Sequence, residues 1–295
     1  MEGNALMRQH TRYAGWINGL IGVMIFSGSL PATRLAVTEF DPLFLTFARA
    51  CIAGALALCL LLIFKQRRPD RSQFLSLALV AAGVVVGFPL LTALALKSVT
   101  AGHAIVFIGL LPLVTAAFGV LRGGERPKPA FWVFSALGSG AVAGFAVTQG
   151  LAASAAGDLL MLLAILACGM GYAEGAKLAQ ALGGWQVICW ALLLSLPLML
   201  GASLALLPSD FSNVSATGWA SLGYVSVFSM LVGFVFWYRG LAQGGVAVEG
   251  QLQLLQPFFG LALAAAVLHE QVSPAMVSIA GVVILCILGA RRFGR

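Results

Sequence analysis

Charge is what this sequence has least of. Only 9% of its 295 residues are charged, against roughly 25% in a soluble domain. The 17 Lys and Arg and 10 Asp and Glu cannot cover the surface of a water-soluble fold of this length. Histidine is also scarce, at three, and the acids are dispersed. No grouped Asp, Glu or His marks a metal- or phosphate-binding centre, which argues against a membrane enzyme acting on lipid-borne substrates. Cys51, Cys59, Cys168, Cys189 and Cys286 stand singly in apolar segments, without a CxxC pair or a His at metal spacing. We read them as packing residues. Gly169-Met-Gly171 has no preceding strand and is no nucleotide fingerprint. A filter-like loop or ring of like charges, as a channel needs, is missing too. No cofactor or metal is implied.

Hydrophobicity is what is present: 60% of residues are apolar and mean hydropathy is +0.99. A helix crossing the hydrocarbon core needs about 20 apolar residues. Such runs fall near 13–32, 42–64, 72–96, 100–121, 130–148, 156–178, 185–207, 216–239, 246–268 and 273–290. Arg8 and Arg12 precede the first run, yet no small-residue cleavage site follows, so it reads as a retained helix. The net charge of +7 does not point to nucleic acid, because the basic residues punctuate apolar runs instead of sharing a face. Of 17 Lys and Arg, all but Arg34, Lys97 and Arg49 fall on one side when the spans alternate from a cytoplasmic N-terminus. The positive-inside rule then places both termini in the cytoplasm.

The chain also resembles itself. A shift of 145 overlays Leu96 on Leu241, Leu110 on Leu255, Pro112 on Pro257, Glu125 on Glu270, Pro129 on Pro274 and Gly144 on Gly289, without a gap. Five spans per copy is an odd number, so the second copy enters the membrane inverted. The fold class expected is an all-α membrane protein of ten transmembrane helices, built as two inverted five-helix repeats, 1–150 and 151–295. Inverted repeats suit secondary transport, because two related halves can exchange shapes and open a midplane site to either side.

Phe26-Ser-Gly-Ser-Leu-Pro-Ala-Thr-Arg34, Pro42 through Arg49, Ala101-Gly-His103 through Leu111-Pro112, and Gly124-Glu125-Arg126 carry a likeness to a known family. So do Gln256-Pro257 and His269-Glu270 through Pro274. On these motifs the chain resembles EamA-type members of the drug/metabolite transporter superfamily, over nearly its whole length. Two departures stand out: the family's tryptophan in the first helix is Phe26 here, and the seventh span has no counterpart of Arg49. General likeness is greatest to the YddG-type exporters of aromatic and other neutral amino acids. The resemblance implies alternating-access export of such a small molecule from a bacterial inner membrane, with a multidrug or other metabolite transporter as the alternative. It also implies a cavity lined by the first, third, fourth, sixth, eighth and ninth spans. The oligomeric state stays open, a monomer being compatible.

Candidate site residues follow from spacing and span. Glu249, Gln253 and Gln256 recur at i, i+4, i+7, one stripe of an α-helix. Glu249 is either a deep functional carboxylate or a charge placed favourably at a helix start. His103 and Phe107, at i, i+4 on the repeat-related fourth span, could face the same cavity, with Phe88, Tyr172 and Trp237 as aromatic walls. His103 and Glu249 are the groups available for proton coupling. Pro112 and Pro257 interrupt symmetry-related helices, as hinges or as static kinks. Arg49 has two readings, snorkelling to the interface or facing the cavity. Gly15 with Gly19, Gly140 with Gly144, and Gly171 with Gly175 read as close-packing pairs.

Overall fold

The computed structural model describes residues 2–99, 101–148, 154–268 and 274–294, and every regular element among them is helical. In chain order these are α1 (Glu2–Ser27), α2 (Ser29–Ala36), α3 (Pro42–Ile63), α4 (Phe74–Val80), α5 (Phe88–Ala95), α6 (Ala101–Gly123) and α7 (Pro129–Thr148). Then come α8 (Ala155–Leu182), α9 (Gly184–Ala205), α10 (Ala216–Gly223), α11 (Gly233–Gly244), α12 (Val246–Gly250), α13 (Gln256–Leu268) and α14 (Pro274–Phe293). Irregular turns splice some of these into longer rods. A π-helix, Ala81–Gly87, joins α4 to α5, another, Tyr224–Val232, joins α10 to α11, and a 3-10 stretch, Gln251–Leu255, joins α12 to α13. Gln251–Leu255 departs from the continuous α-helix that the Glu249, Gln253, Gln256 spacing assumes.

Seven rods among the described residues are long and apolar enough to cross a bilayer: Tyr13–Ala36, Pro42–Ile63, Arg71–Ala95, Val106–Gly123, Ala155–Leu182, Gly184–Ala205 and Ala216–Gly244. Pro129–Phe145 is a shorter apolar helix. Leu75, Leu121, Leu198 and Leu285 are between 68% and 74% exposed. Apolar side chains so displayed over whole rods have lipid as their natural solvent. Residues 269–273, with Glu270, lie outside the described residues.

Local sequence explains where the rods begin. Asp41 caps α3 by accepting from the Leu43 and Phe44 amides at 2.8 and 3.3 Å, with Pro42 in the first turn where its missing N–H costs nothing. Ser154 and Ser215 cap α8 and α10 in the same way. Gly183 and Gly245 are single-residue links, α8 to α9 and α11 to α12, with φ of 96° and 97° and extended ψ. Only glycine holds that backbone without strain.

Packing pairs α1 with α11, α3 with α9, and α7 with α14, while α8 runs through the middle against α5, α6 and α11. Glycines permit the closest of these contacts. A Cβ at Gly240 would stand 2.7 Å from the Gly19 nitrogen, and one at Gly15 2.9 Å from the Gly244 nitrogen, so α1 and α11 meet nearly backbone to backbone. Gly171 likewise meets Gly83, and Gly175 lies under Tyr238. Gly140 and Gly144 do not fit the close-packing expectation: each faces open space, because the crossing of α7 and α14 runs over other positions, among them Gly289 under Phe134.

Candidate functional site

The bundle has two unlike ends. One gathers basic residues and the shortest links, and we call it the basic end. There Gly124, at φ 68°, turns the chain after α6 so that Glu125 points back at the neighbouring rod. The Glu125 carboxylate accepts from the Val246 and Ala247 amides at 2.6 and 2.7 Å. It satisfies two of the four orphan N–H groups that begin the α12 rod, at the positive end of its dipole. Arg122 pairs with Glu174, whose side chain is fully buried. The Lys128 amide donates to the Phe293 carbonyl at 3.0 Å, and the Arg291 guanidinium lies over the Trp16 ring, 5.3 Å from its centroid. These contacts tie together the ends of six helices, α6 with α8 and α12, and α14 with α7 and α1.

Above this clamp sits a layer of buried side chains. Trp237 and Tyr238 are fully buried, and the Tyr238 hydroxyl donates to the Gly171 carbonyl at 3.2 Å. Gln251 and Gln253 are buried beside them. Gln253 lies next to the Tyr172 phenol, yet neither atom of its amide has a partner in good hydrogen-bond geometry.

Beyond the layer, in the half remote from the basic end, the rods separate around a cavity. The cavity is small, ≈ 60 Å³, below the about 300–1,000 Å³ usual for small-molecule sites. Phe26, Ser29 and Thr33 line it from α1 and α2, and Arg49 from α3. Val84, Phe88, Pro89 and Thr92 contribute from the π-helix and α5, Ile108 and Leu111 from α6, Tyr172 from α8, Ser229 and Phe234 from the second π-helix and α11, and Gln256 from α13. The aromatic walls touch: Phe26 meets Phe234 edge-on at 5.0 Å between centroids, and Tyr172 meets Trp237 at 5.4 Å. The Arg49 guanidinium donates to the Ser229 hydroxyl at 3.2 Å, and Ser29 bonds to Ser229 at 2.7 Å. The Gln256 amide reaches the Phe26 carbonyl at 3.4 Å.

The nominated residues therefore separate. Phe88, Tyr172 and Gln256 are in the cavity wall, with Trp237 and Gln253 in the layer beneath it. Glu249 is buried in the first turn of α12 against Gly244 and Gly19, down at the basic end. A 3-10 turn advances each residue further round the axis than an α-helix does, so Glu249 is rotated off the line of Gln253 and Gln256. His103 sits at the start of α6, 2.5 Å from the Asp158 carboxylate of α8, and Phe107 packs beside it. These two join α6 to α8 outside the cavity lining. Pro112 is buried inside α6, and Pro257 follows the 3-10 stretch at the head of α13. Arg49 faces the cavity and is 8% exposed.

Phe26, Thr33, Thr92, Ser229 and Phe234 were not nominated as site residues from sequence, Phe26 standing out only as a departure from the family's tryptophan. A signal existed for two of them: the 145-residue shift carries Val84 onto Ser229 and Pro89 onto Phe234, all four being lining residues. Among the described residues no group of three or more His, Cys, Asp or Glu is placed to hold a metal.

Among the described residues the helices form a lipid-facing bundle around a small interior cavity, which defines a multi-pass membrane protein. The EamA-like transporter family model matches residues 14–147 and again 155–291, and the chain belongs to that family. It is 66% identical over 281 residues to the uncharacterized transporter YdeK of Bacillus subtilis, covering 95% of this chain and 98% of YdeK. The uncharacterized inner membrane transporter YedA of Escherichia coli K12 is 24% identical over 215 residues, covering 71% of this chain and 68% of YedA. A solved crystal structure shares the fold with a TM-score of 0.79 at 18% identity, covering 95% of this chain and 98% of its own.

Proposed function

We propose that this chain is a secondary transporter that exports small metabolites, chiefly aromatic or other neutral amino acids, by alternating access between two inverted five-helix halves, 1–150 and 151–295. The observation that carries the reading is the one-sided cavity. It has aromatic and polar walls in one half of the bundle and a clamped layer of buried side chains in the other. Adding the helices 129–148, 246–268 and 274–293 to the seven longer rods makes ten crossings. Three features support inversion. The family match is double, the two π-helices nearly coincide under the 145-residue shift, and the repeat mates α3 with α9 and α7 with α14 pack on each other as a two-fold axis between halves requires.

The Lys and Arg distribution supports a cytoplasmic basic end, and with it cytoplasmic termini. The name of YedA supports an inner-membrane setting. The cavity then lies on the release side of an exporter. A cysteine probe at Asp210 should react with an impermeant reagent from outside, and one at Arg68 should not; the reverse pattern overturns the orientation. Phe88, Tyr172 and Gln256 contact substrate in this arrangement, and Gln253 and Trp237 do so once the basic end opens. Pro112 and Pro257 act as paired hinges, so Ala at either should slow transport at normal folded yield, and full rates in both variants would remove the hinge role.

Purified protein in proteoliposomes, offered a panel of labelled amino acids with and without a pH gradient, tests the substrate. Saturable uptake of aromatic and neutral members is expected, and stimulation by the gradient would implicate His103 with Asp158, or Glu249, in proton coupling. Uptake of cationic drugs with no amino acid would replace the reading by multidrug transport.

A further inference from the structure

We infer that the cavity selects its cargo by a carboxylate seated on Arg49, and that an α-ammonium group is not required. The inference rests on the transporter reading and names the chemistry of the same cavity.

Arg49 is a cation held inside a membrane-spanning helix and 8% exposed. Its ion-pair partner is missing: among the described residues the salt bridges join Lys97 to Asp41, His103 to Asp158 and Arg122 to Glu174. One guanidinium nitrogen donates to Ser229, while Nε has no partner. A buried charge in that condition is costly unless something of opposite sign completes it. The neighbours add donors and no competing anion. Ser229 accepts from both Arg49 and Ser29, which leaves its own proton to give, and the Thr92 hydroxyl at the same cavity is also unpartnered.

Three donors with one positive charge match the two oxygens of a carboxylate, which a guanidinium can hold by a pair of parallel bonds. The remaining wall is built for the other end of such a molecule, since Phe26, Phe88, Tyr172 and Phe234 present ring faces and edges. No acidic side chain is among the described lining residues, so nothing in the wall demands an ammonium. The class of cargo is an amphipathic monocarboxylate, of which a neutral amino acid is one member and the corresponding desamino acid another.

The test is binding to the purified full chain in detergent, followed by thermal shift and tryptophan fluorescence, with three probes: L-phenylalanine, 3-phenylpropionate and L-phenylalaninamide. Phenylalanine and phenylpropionate should bind within a few-fold of each other, and the amide at least about ten-fold more weakly. Arg49→Gln should erase that preference and Arg49→Lys keep part of it. If Arg49→Gln does not fold, the wild-type comparison of acid and amide decides alone. Equal binding of the amide, binding of neither acid, or displacement of both acids by equimolar chloride overturns the inference. Binding of phenylpropionate with no transport of any amino acid upholds the inference and sinks the amino-acid reading instead.

Discussion

The two ends of this bundle are made of the same apolar helices and differ in how their polar groups are used. At the basic end, the Glu125 and Glu174 carboxylates are matched to amides or a guanidinium. In the opposite half, Arg49 Nε and the Thr92 hydroxyl, on residues that line the cavity, are buried without partners. Satisfied polar groups hold helices together, and unsatisfied ones recruit something from outside. Orphan polar atoms occur in the packed layer too, both amide atoms of Gln253 among them, so what separates the two ends is the paired carboxylates of one and the Arg49 cation, without a salt bridge among the described residues, in the other.

The sharpest way to break that contrast is to strand a buried carboxylate at the barrier. Arg122→Ala leaves Glu174 fully buried with its partner gone, and should cost about 2–3 kcal/mol of stability, a figure kept low because Arg122 is itself half in water. Loss of thermal stability in detergent measures it, and an unchanged melting temperature would mean that Glu174 is held by other groups. Glu125→Ala comes next. It uncaps the α12 rod and should cost about 1–2 kcal/mol. It should also raise the reactivity of a cysteine placed at Val246 towards reagent applied from the basic end. Unaltered reactivity would show that Glu125 is no part of the closure.

At the cavity, Phe88→Ala should raise the apparent KM for an aromatic substrate by roughly five-fold, about 1 kcal/mol of lost ring contact. Phe107→Ala should change it far less, since Phe107 packs against His103. Equal effects would move the site towards the α6–α8 interface. Smallest is the pH response of the loop 206–215. The Ser212 hydroxyl, followed by its amide, holds the Asp210 carboxyl below its ordinary value. A carboxyl depressed in the folded state contributes stability above its unfolded pKa and loses it as pH falls through the folded one. Nicking of this loop by an acid-active protease should therefore rise at the acid end of the carboxylate range in wild type, and stay flat with pH in Asp210→Asn.

The all-helical, membrane-spanning character could be read from spacing alone, because membrane thickness fixes the length of apolar runs. Side-chain direction could not. A helix apolar on every face carries no stripe to say which way Arg49 points, and only the packing of α3 against its neighbours turns it inward. The Glu249, Gln253, Gln256 stripe was legible as a pattern but presupposed α geometry across a segment that winds as a 3-10 helix. Glu125 was visible as part of a motif, yet its partners are two amides 121 and 122 residues away, which no local pattern announces. Asp158 as the partner of His103 was hidden for the same reason.

The single-glycine links at Gly183 and Gly245 have a bearing on how this gene can vary. A connection of one residue leaves no slack, so a deletion or insertion there shifts a whole span along its neighbour instead of being absorbed. The ten residues of 206–215 at the other end bridge α9 and α10 with room to spare. Length changes between relatives, and any epitope or fluorescent tag added by an experimenter, should be tolerated in that longer loop and lethal to assembly at the glycines.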